Sequence, residues 1–145
     1  MVTVRQLLQT KGYSIWSIAP DASVYDALKL MADKEVGALL VLDGRKLAGI
    51  ISEREYAREV TLKGKTAIDT PVKEIMVKEV ISVCPEQPIE ECMALMTEKR
   101  VRHLSVCEDG CLVGIVSIGD VVKAIISQQE FMIEQLERYI DGGWC

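Results

Sequence analysis

Sliding the sequence along itself by 65 residues lays residues 15–60 on residues 80–125 without a gap. Identities across the two copies include Ser17/Ser82, Pro20/Pro85, Leu30/Leu95, Met31/Met96, Lys34/Lys99 and Val36/Val101. They continue through Leu39/Leu104, Val41/Val106, Leu47/Leu112, Gly49/Gly114, Ile50/Ile115 and Ser52/Ser117. Ile15/Val80, Asp26/Glu91 and Glu55/Asp120 are conservative pairs in the same register. A register held this long means one structural unit used twice, and it governs every later reading of the chain. An earlier stretch, Val4-Arg5-Gln6-Leu7-Leu8, matches Val72-Lys73-Glu74-Ile75-Met76 once three extra residues are allowed in the first copy.

Each copy reads as strand, helix, strand, strand, helix. The first strand (15–18, 80–83) stops at Pro20 or Pro85. Ser23 is placed to cap a helix over residues 24–34, with Leu28, Met31 and Ala32 on one face. Pro88 suits the first turn of the matching helix, which carries Cys92, Met93, Leu95 and Met96. Two β-rich runs follow around a turn: Leu39-Leu40-Val41-Leu42 and Leu47-Ala48-Gly49-Ile50-Ile51, then residues 104–107 and 111–116. They are apolar at nearly every position, the pattern of strands covered on both faces. Lys63-Gly64-Lys65-Thr66 reads as a linker and Thr70-Pro71 as the restart of a short helix. The sequence therefore divides into residues 1–65, 66–127 and a tail, 128–145. The tail carries Phe131, Ile133, Leu136 and Ile140 as an amphipathic stripe ended by Gly142-Gly143. The fold class is α/β (α+β).

Composition narrows the function classes. The net charge of −5 argues against a nucleic-acid partner. No apolar run approaches a membrane span, and the first residues lack a basic-then-apolar leader, so the expectation is a cytoplasmic protein with no membrane contact. The five cysteines (Cys84, Cys92, Cys107, Cys111, Cys145) read as reduced, mostly buried thiols. Cys107 and Cys111 flank a turn, but no second cysteine pair follows and His103 is the one histidine, so no metal site is expected.

Gly114-Ile115-Val116-Ser117-Ile118-Gly119-Asp120 and Val101-Arg102-His103-Leu104 carry the most specific signal, on a duplicated β-α-β-β-α unit. With these motifs the chain resembles the cystathionine-β-synthase (CBS) domain family, over nearly its whole length. Trp16-Ser17-Ile18-Ala19-Pro20-Asp21, Ser52-Glu53-Arg54-Glu55 and Gln135-Leu136-Glu137-Arg138-Tyr139 resemble small two-repeat members, the stand-alone Bateman modules. The resemblance implies repeats related by a pseudo-twofold axis, frequent dimerisation, and two clefts able to take an adenosyl ligand (AMP, ATP or NAD).

Ser117 falls at the start of a helix, where unpaired N–H groups favour a phosphate, and its hydroxyl adds a donor. Asp120, one turn in, is suited to accept two hydrogen bonds from a ribose diol. The same Ser-x-x-acid spacing is also a plain capping arrangement, formally so in Ser52-Glu53-Arg54-Glu55. Carried over by resemblance, the first cleft uses Ser117, Asp120 and Ile115 with Ile15, Trp16, Val36 and Gly37 around the base, and His103 and Arg102 toward the phosphate. The second uses Ser52, Glu55 and Ile50 with Val80, Ile81 and Val101. There Glu55 replaces the usual Asp and Ala38 stands where His103 stands, so cations must come from Arg54 or Arg58. The structural alternatives are a partly buried Trp16, a simply hydrogen-bonded His103, and a solvated face carrying Arg54 and Arg58 at i, i+4.

Catalysis needs a nucleophile with its base, a metal, or paired carboxylates in one cleft. One histidine and an inert-looking Cys92 on an apolar helix face do not assemble this, so no enzyme activity is expected. The expectation is an adenine-nucleotide sensor acting on an unidentified regulated protein, a homodimer through its exposed apolar faces. The alternative is a ligand-free interaction scaffold.

Overall fold

The computed structural model describes residues 2–142. They sort into two compact units, one of Ser14–Val80 and the other of Met1–Tyr13 with the chain from Ile81 onward. The packing units therefore differ from the sequence repeats. Each unit takes in the short helix that precedes the other repeat.

In the Ser14–Val80 unit, β1 (Ser17–Ile18) lies parallel beside β2 (Ala38–Asp43), which pairs antiparallel with β3 (Lys46–Ser52). Helix α2 (Val24–Lys34) connects β1 to β2, and α3 (Glu53–Tyr56) follows β3 directly. The chain then widens into a π-helical turn, Ala57–Thr61, closed by Leu62 N–H donating to the Ala57 carbonyl at 3.1 Å. Short α4 (Val72–Ile75) completes the unit. In the other unit, α1 (Val4–Lys11) joins β4 (Ser82–Val83), α5 (Ile89–Lys99), β5 (His103–Glu108), β6 (Cys111–Ser117) and α6 (Ile118–Gly142). Its sheet has the same order and sense, with a register shift at the same place (Val41/Leu42, Val106/Cys107).

The docking of α1 and α4 repeats bond for bond. Val4 N–H donates to Gln87 O at 2.9 Å and Arg5 N–H to Pro85 O at 2.9 Å. Val72 N–H donates to Ala22 O at 2.8 Å and Lys73 N–H to Pro20 O at 3.0 Å. These satisfy the orphan donors of each helix's first turn against the backbone that enters α5 or α2. Thr3 adds a capping box to α1, accepting from Gln6 N–H while the Gln6 side chain accepts from Thr3 N–H.

Glycine admits each helix onto its sheet. A Cβ on Gly114 of β6 would stand 2.9 Å from Cδ2 of Leu8, and one on Gly49 of β3 would stand 2.7 Å from the Val77 carbonyl and 3.0 Å from the Met76 sulfur. Leu8 is buried in a core with Val4, Ile89, Cys92, Met96, Leu104 and Val116. The counterpart core holds Val24, Ala27, Met31, Leu39, Val41, Ile51, Val72 and Ile75. On β2 the opposite face (Ala38, Leu40) is buried as well, as the uninterrupted apolar pattern predicts.

Several sequence expectations change. The first strands are two residues long rather than four, and just ahead of them the Trp16 and Ile81 carbonyls accept from Leu40 and Ser105 N–H. Pro88 is the N-cap of α5, not its first turn. Ala32 is exposed, and Ala27 takes the buried position beside Met31. The tail is no separate helix: α6 runs unbroken through residues 118–142, and Gly143 lies outside the described residues. Of the described thiols only Cys92 is buried; Cys84 and Cys111 are exposed and Cys107 half-buried, since they sit at strand ends and the hairpin turn. Cys145 is outside the described residues.

Gly49→Ala is expected to cost about 2–3 kcal/mol, since the new methyl meets a backbone carbonyl held by the Ile50–Val77 bridge. Gly114→Ala is expected to cost less, since the flexible end of Leu8 can give way. Urea midpoints of the two variants check the order; equal midpoints contradict it.

Candidate functional site

The hairpin β5–β6 and the start of α6 gather Arg102, His103, Ile115, Ser117 and Asp120 in one unit. His103 and Ser117 are partners across the two strands, and Ile118 N–H donates to the Arg102 carbonyl at 2.8 Å, which starts α6 directly from the strand. Ser117 N–H donates to Asp120 Oδ2 at 2.8 Å, and Asp120 N–H donates to Ser117 Oγ at 3.1 Å. The Ser-x-x-Asp pair is thus a reciprocal cap.

A residue that sequence reasoning missed completes the cluster. Lys11, the last residue of α1, places its ammonium 2.6 Å from Asp120 Oδ2 and donates to the Ile115 carbonyl at 2.6 Å. Its only sequence signal was a basic residue in a last helical turn, which has an ordinary dipole explanation. Alignment of the repeats sets it opposite Glu79, so the duplication did not mark it.

The electrostatics follow from this contact. Burial pushes the Asp120 carboxyl up, but the Lys11 hydrogen bond and charge and the two Ser117 donors outweigh it, and the carboxyl lies below its ordinary value. His103 is pushed down, first by burial and then by the Lys11 charge, with Asp120 opposing. At neutral pH His103 is uncharged, and Lys11 is the cation set on the Asp120 carboxylate.

The residues expected around the base lie in the other unit. Trp16 is 38% exposed, with the Lys34 ammonium 4.3 Å from its ring centroid, a cation–π contact. Ile15 and Val36 are half-buried and Gly37 is exposed. A Cβ on Gly37 would meet no heavy atom within 4 Å, while its carbonyl accepts from Glu53 N–H at 3.1 Å.

The second set divides similarly. Ser52, Arg54, Glu55, Arg58, Ile50 and Val80 fall in the Ser14–Val80 unit, and Ile81 and Val101 pack half-buried against the other core. Glu55 folds back on Ser52, accepting from its N–H at 3.0 Å and its hydroxyl at 2.8 Å with the same oxygen. Ile50 exchanges two 2.9 Å hydrogen bonds with Val77. Arg54 and Arg58 are exposed but do not share one α-helical face, because the backbone passes into the π-helical turn at Ala57. Cys92, fully buried, has its thiol pushed up to about 11 by burial and then by Glu91 and Glu90, as an inert core thiol would.

The family model for the CBS domain matches residues 2–61 and 72–127. The chain belongs to the CBS domain family. It carries two copies, and such pairs are in general regulatory or signal-transduction modules, typically without catalysis. It is similar to the mitochondrial CBS domain-containing protein CBSX3 of Arabidopsis thaliana, 39% identical over 98% of this chain and 73% of that one. Among solved structures it is similar to a Burkholderia ambifaria protein with CBS domains assigned to signal transduction (TM-score 0.85, 50% identical, 88% of this chain and 96% of that one). It is also similar to a hexameric CBS-CP12 protein of bloom-forming cyanobacteria (TM-score 0.75, 27% identical, 84% and 70% covered). No described helix of this CBS pair is long and apolar enough to cross a membrane.

Because the CBS pair has a single histidine, its titration reports this cluster alone. With the folded value below the unfolded one, the unfolded chain binds the extra proton first as pH drops. Stability from His103 is therefore full above about 6.5 and is lost as pH falls below it. Asp120 works at lower pH, its contribution present above the ordinary carboxyl value and lost as pH falls through its depressed folded value. Lys11→Met is expected to move the His103 titration upward, read by NMR of the ring protons. A wild-type midpoint at or above 6.5, or no response to Lys11→Met, contradicts the assignment.

Proposed function

We propose that this CBS pair is a sensor that binds an adenine nucleotide (AMP, ATP or NAD) and transmits occupancy to a separate regulated protein, without turning the ligand over. The observation that carries this reading is the ionised Asp120 carboxylate set beside the Lys11 ammonium and the Ser117 hydroxyl at the start of α6. A charged carboxylate accepts strongly from a vicinal diol, and an ammonium next to helix-terminal N–H groups suits a phosphate. In this reading Asp120 takes the ribose and Ser117 and Lys11 take the phosphate. Neutral His103 donates a hydrogen bond, and Arg102 adds charge at the rim. Ile115 supplies apolar surface for the base. We place the protein in the cytoplasm and read it as a homodimer, a reading that the hexameric CBS-CP12 relative supports for oligomerisation at large.

The scaffold reading has an observation of its own. Asp120 and Glu55 both already serve as capping partners, so neither needs a ligand to explain it. The Asp120 cap also takes the Lys11 ammonium, 2.6 Å from its carboxylate. We therefore assign the tighter binding event to the Asp120 half-site and a structural role to Glu55.

Asp120→Asn retains an amide oxygen for the cap while removing the charge. It is expected to weaken AMP binding about 10- to 200-fold, the usual worth of a charge-assisted acceptor. Glu55→Gln is expected to leave the tight event in place. Calorimetric titration of both variants decides between the half-sites, and tight binding lost only in Glu55→Gln reverses the assignment. A ligand at about 100 times its Kd adds about 2.7 kcal/mol to stability. If AMP, ATP and NAD at millimolar concentration all leave the melting temperature unmoved, the scaffold reading replaces the sensor.

A further inference from the structure

Helix α6 leaves its own core early. Val121 is fully buried and Ala124 and Ile125 pack half-buried against the core, but every side chain from Gln129 through Ile140 is exposed. An amphipathic helix extended into water gains nothing from its apolar face, so that face has to be accounted for.

The exposed apolar residues form a heptad seam. Val122, Ile126, Gln129, Ile133, Leu136 and Ile140 follow one another at spacings of four and three. In coiled-coil terms Ile126, Ile133 and Ile140 occupy position a, and Val122, Gln129 and Leu136 occupy position d. The apolar members are exposed by 39% (Val122), 49% (Ile126), 55% (Ile133), 61% (Leu136) and 58% (Ile140). Met132 and Tyr139, 56% and 80% exposed, flank the seam at position g. Isoleucine fills every a position and Leu136 the last d position, the part of the seam that matches a parallel two-stranded coil, while Val122 and Gln129 fill the other two d positions.

Charge agrees with that geometry. Position e carries Lys123, Glu130 and Glu137, and position g carries apolar Ile125, Met132 and Tyr139. In a parallel pair g faces e of the partner, so no two acids meet. In an antiparallel pair e faces e, which sets Glu130 against Glu130 or Glu137 of the partner helix even where Lys123 meets Glu137. The area is also sufficient. Seven side chains exposing on the order of 100 Å² each come to roughly 700 Å², against roughly 800 Å² per partner in a standard interface.

We infer that the exposed part of α6 pairs in parallel with α6 of a second copy of this chain. The inference rests on the homodimer reading above and locates its interface. Gln129 is the one polar residue in the seam, where it lowers stability. Phe131 falls outside the seam at position f and takes no part.

The test is light scattering of the full chain under reducing conditions from about 5 to 100 µM. Wild type is expected at twice the chain mass of 16.1 kDa. The double variant Ile133→Glu, Leu136→Glu is expected at 16.1 kDa with its helical spectrum retained. Phe131→Glu is expected to remain dimeric, and Gln129→Leu to lower the dimer dissociation constant at least tenfold. A dimer that survives the double variant overturns this interface and leaves the homodimer standing. A monomeric wild type overturns both, and gives the seam to another occupant. For orientation, Ile126→Cys and Ile140→Cys each oxidise to a covalent dimer above the native background if the pair is parallel. Cross-linking only between the two variants mixed together overturns the parallel arrangement.

Discussion

Leu8 over Gly114 is the contact on which the rest of this structure depends. Without a Cβ on β6, an α1 side chain can lie against the strand backbone, bury itself in the core, and still leave the first-turn N–H groups free to dock at Pro85 and Gln87. Met76 over Gly49 does the same for α4. The Gly-Ile motif that marks each repeat therefore has a packing cause independent of any ligand: the glycine is where the incoming helix touches.

That contact also ties the fold to the candidate site. Lys11 closes α1 one helical turn beyond Leu8, so the packing that seats Leu8 also delivers the ammonium to Asp120. Gly12, at φ +109°, then carries the chain from α1 toward the other unit.

The repeating architecture was legible because alternation, turn residues and duplication agreed at every level. The hairpins, α2 with its Ser23 cap, and the Ser117–Asp120 and Ser52–Glu55 pairs all fall where local chemistry puts them. The exchange of α1 and α4 was not legible. Both helices carry the same apolar pattern, and either would fit either glycine on sequence grounds alone. Lys11 was hidden for the same reason, since it was grouped with the first repeat while its partner stands in the second. The π-helical turn that separates Arg54 from Arg58 has no local signature in Ala57-Arg58-Glu59-Val60-Thr61. The sequence division at residue 128 hid the continuity of α6, since exposed Ser127, half-buried Gln128 and exposed Gln129 lie within an uninterrupted helix.

The central claim is that the cluster of Lys11, His103, Ser117 and Asp120 is where an adenine nucleotide binds. Two-dimensional NMR of the folded chain during addition of AMP tests it at the residues concerned. The account predicts saturable movement of the Ser117 and Asp120 amides together with the His103 ring resonances, at one shared dissociation constant. If AMP binds while those three signals stay fixed, or if they fail to move at millimolar AMP, the site has been misassigned.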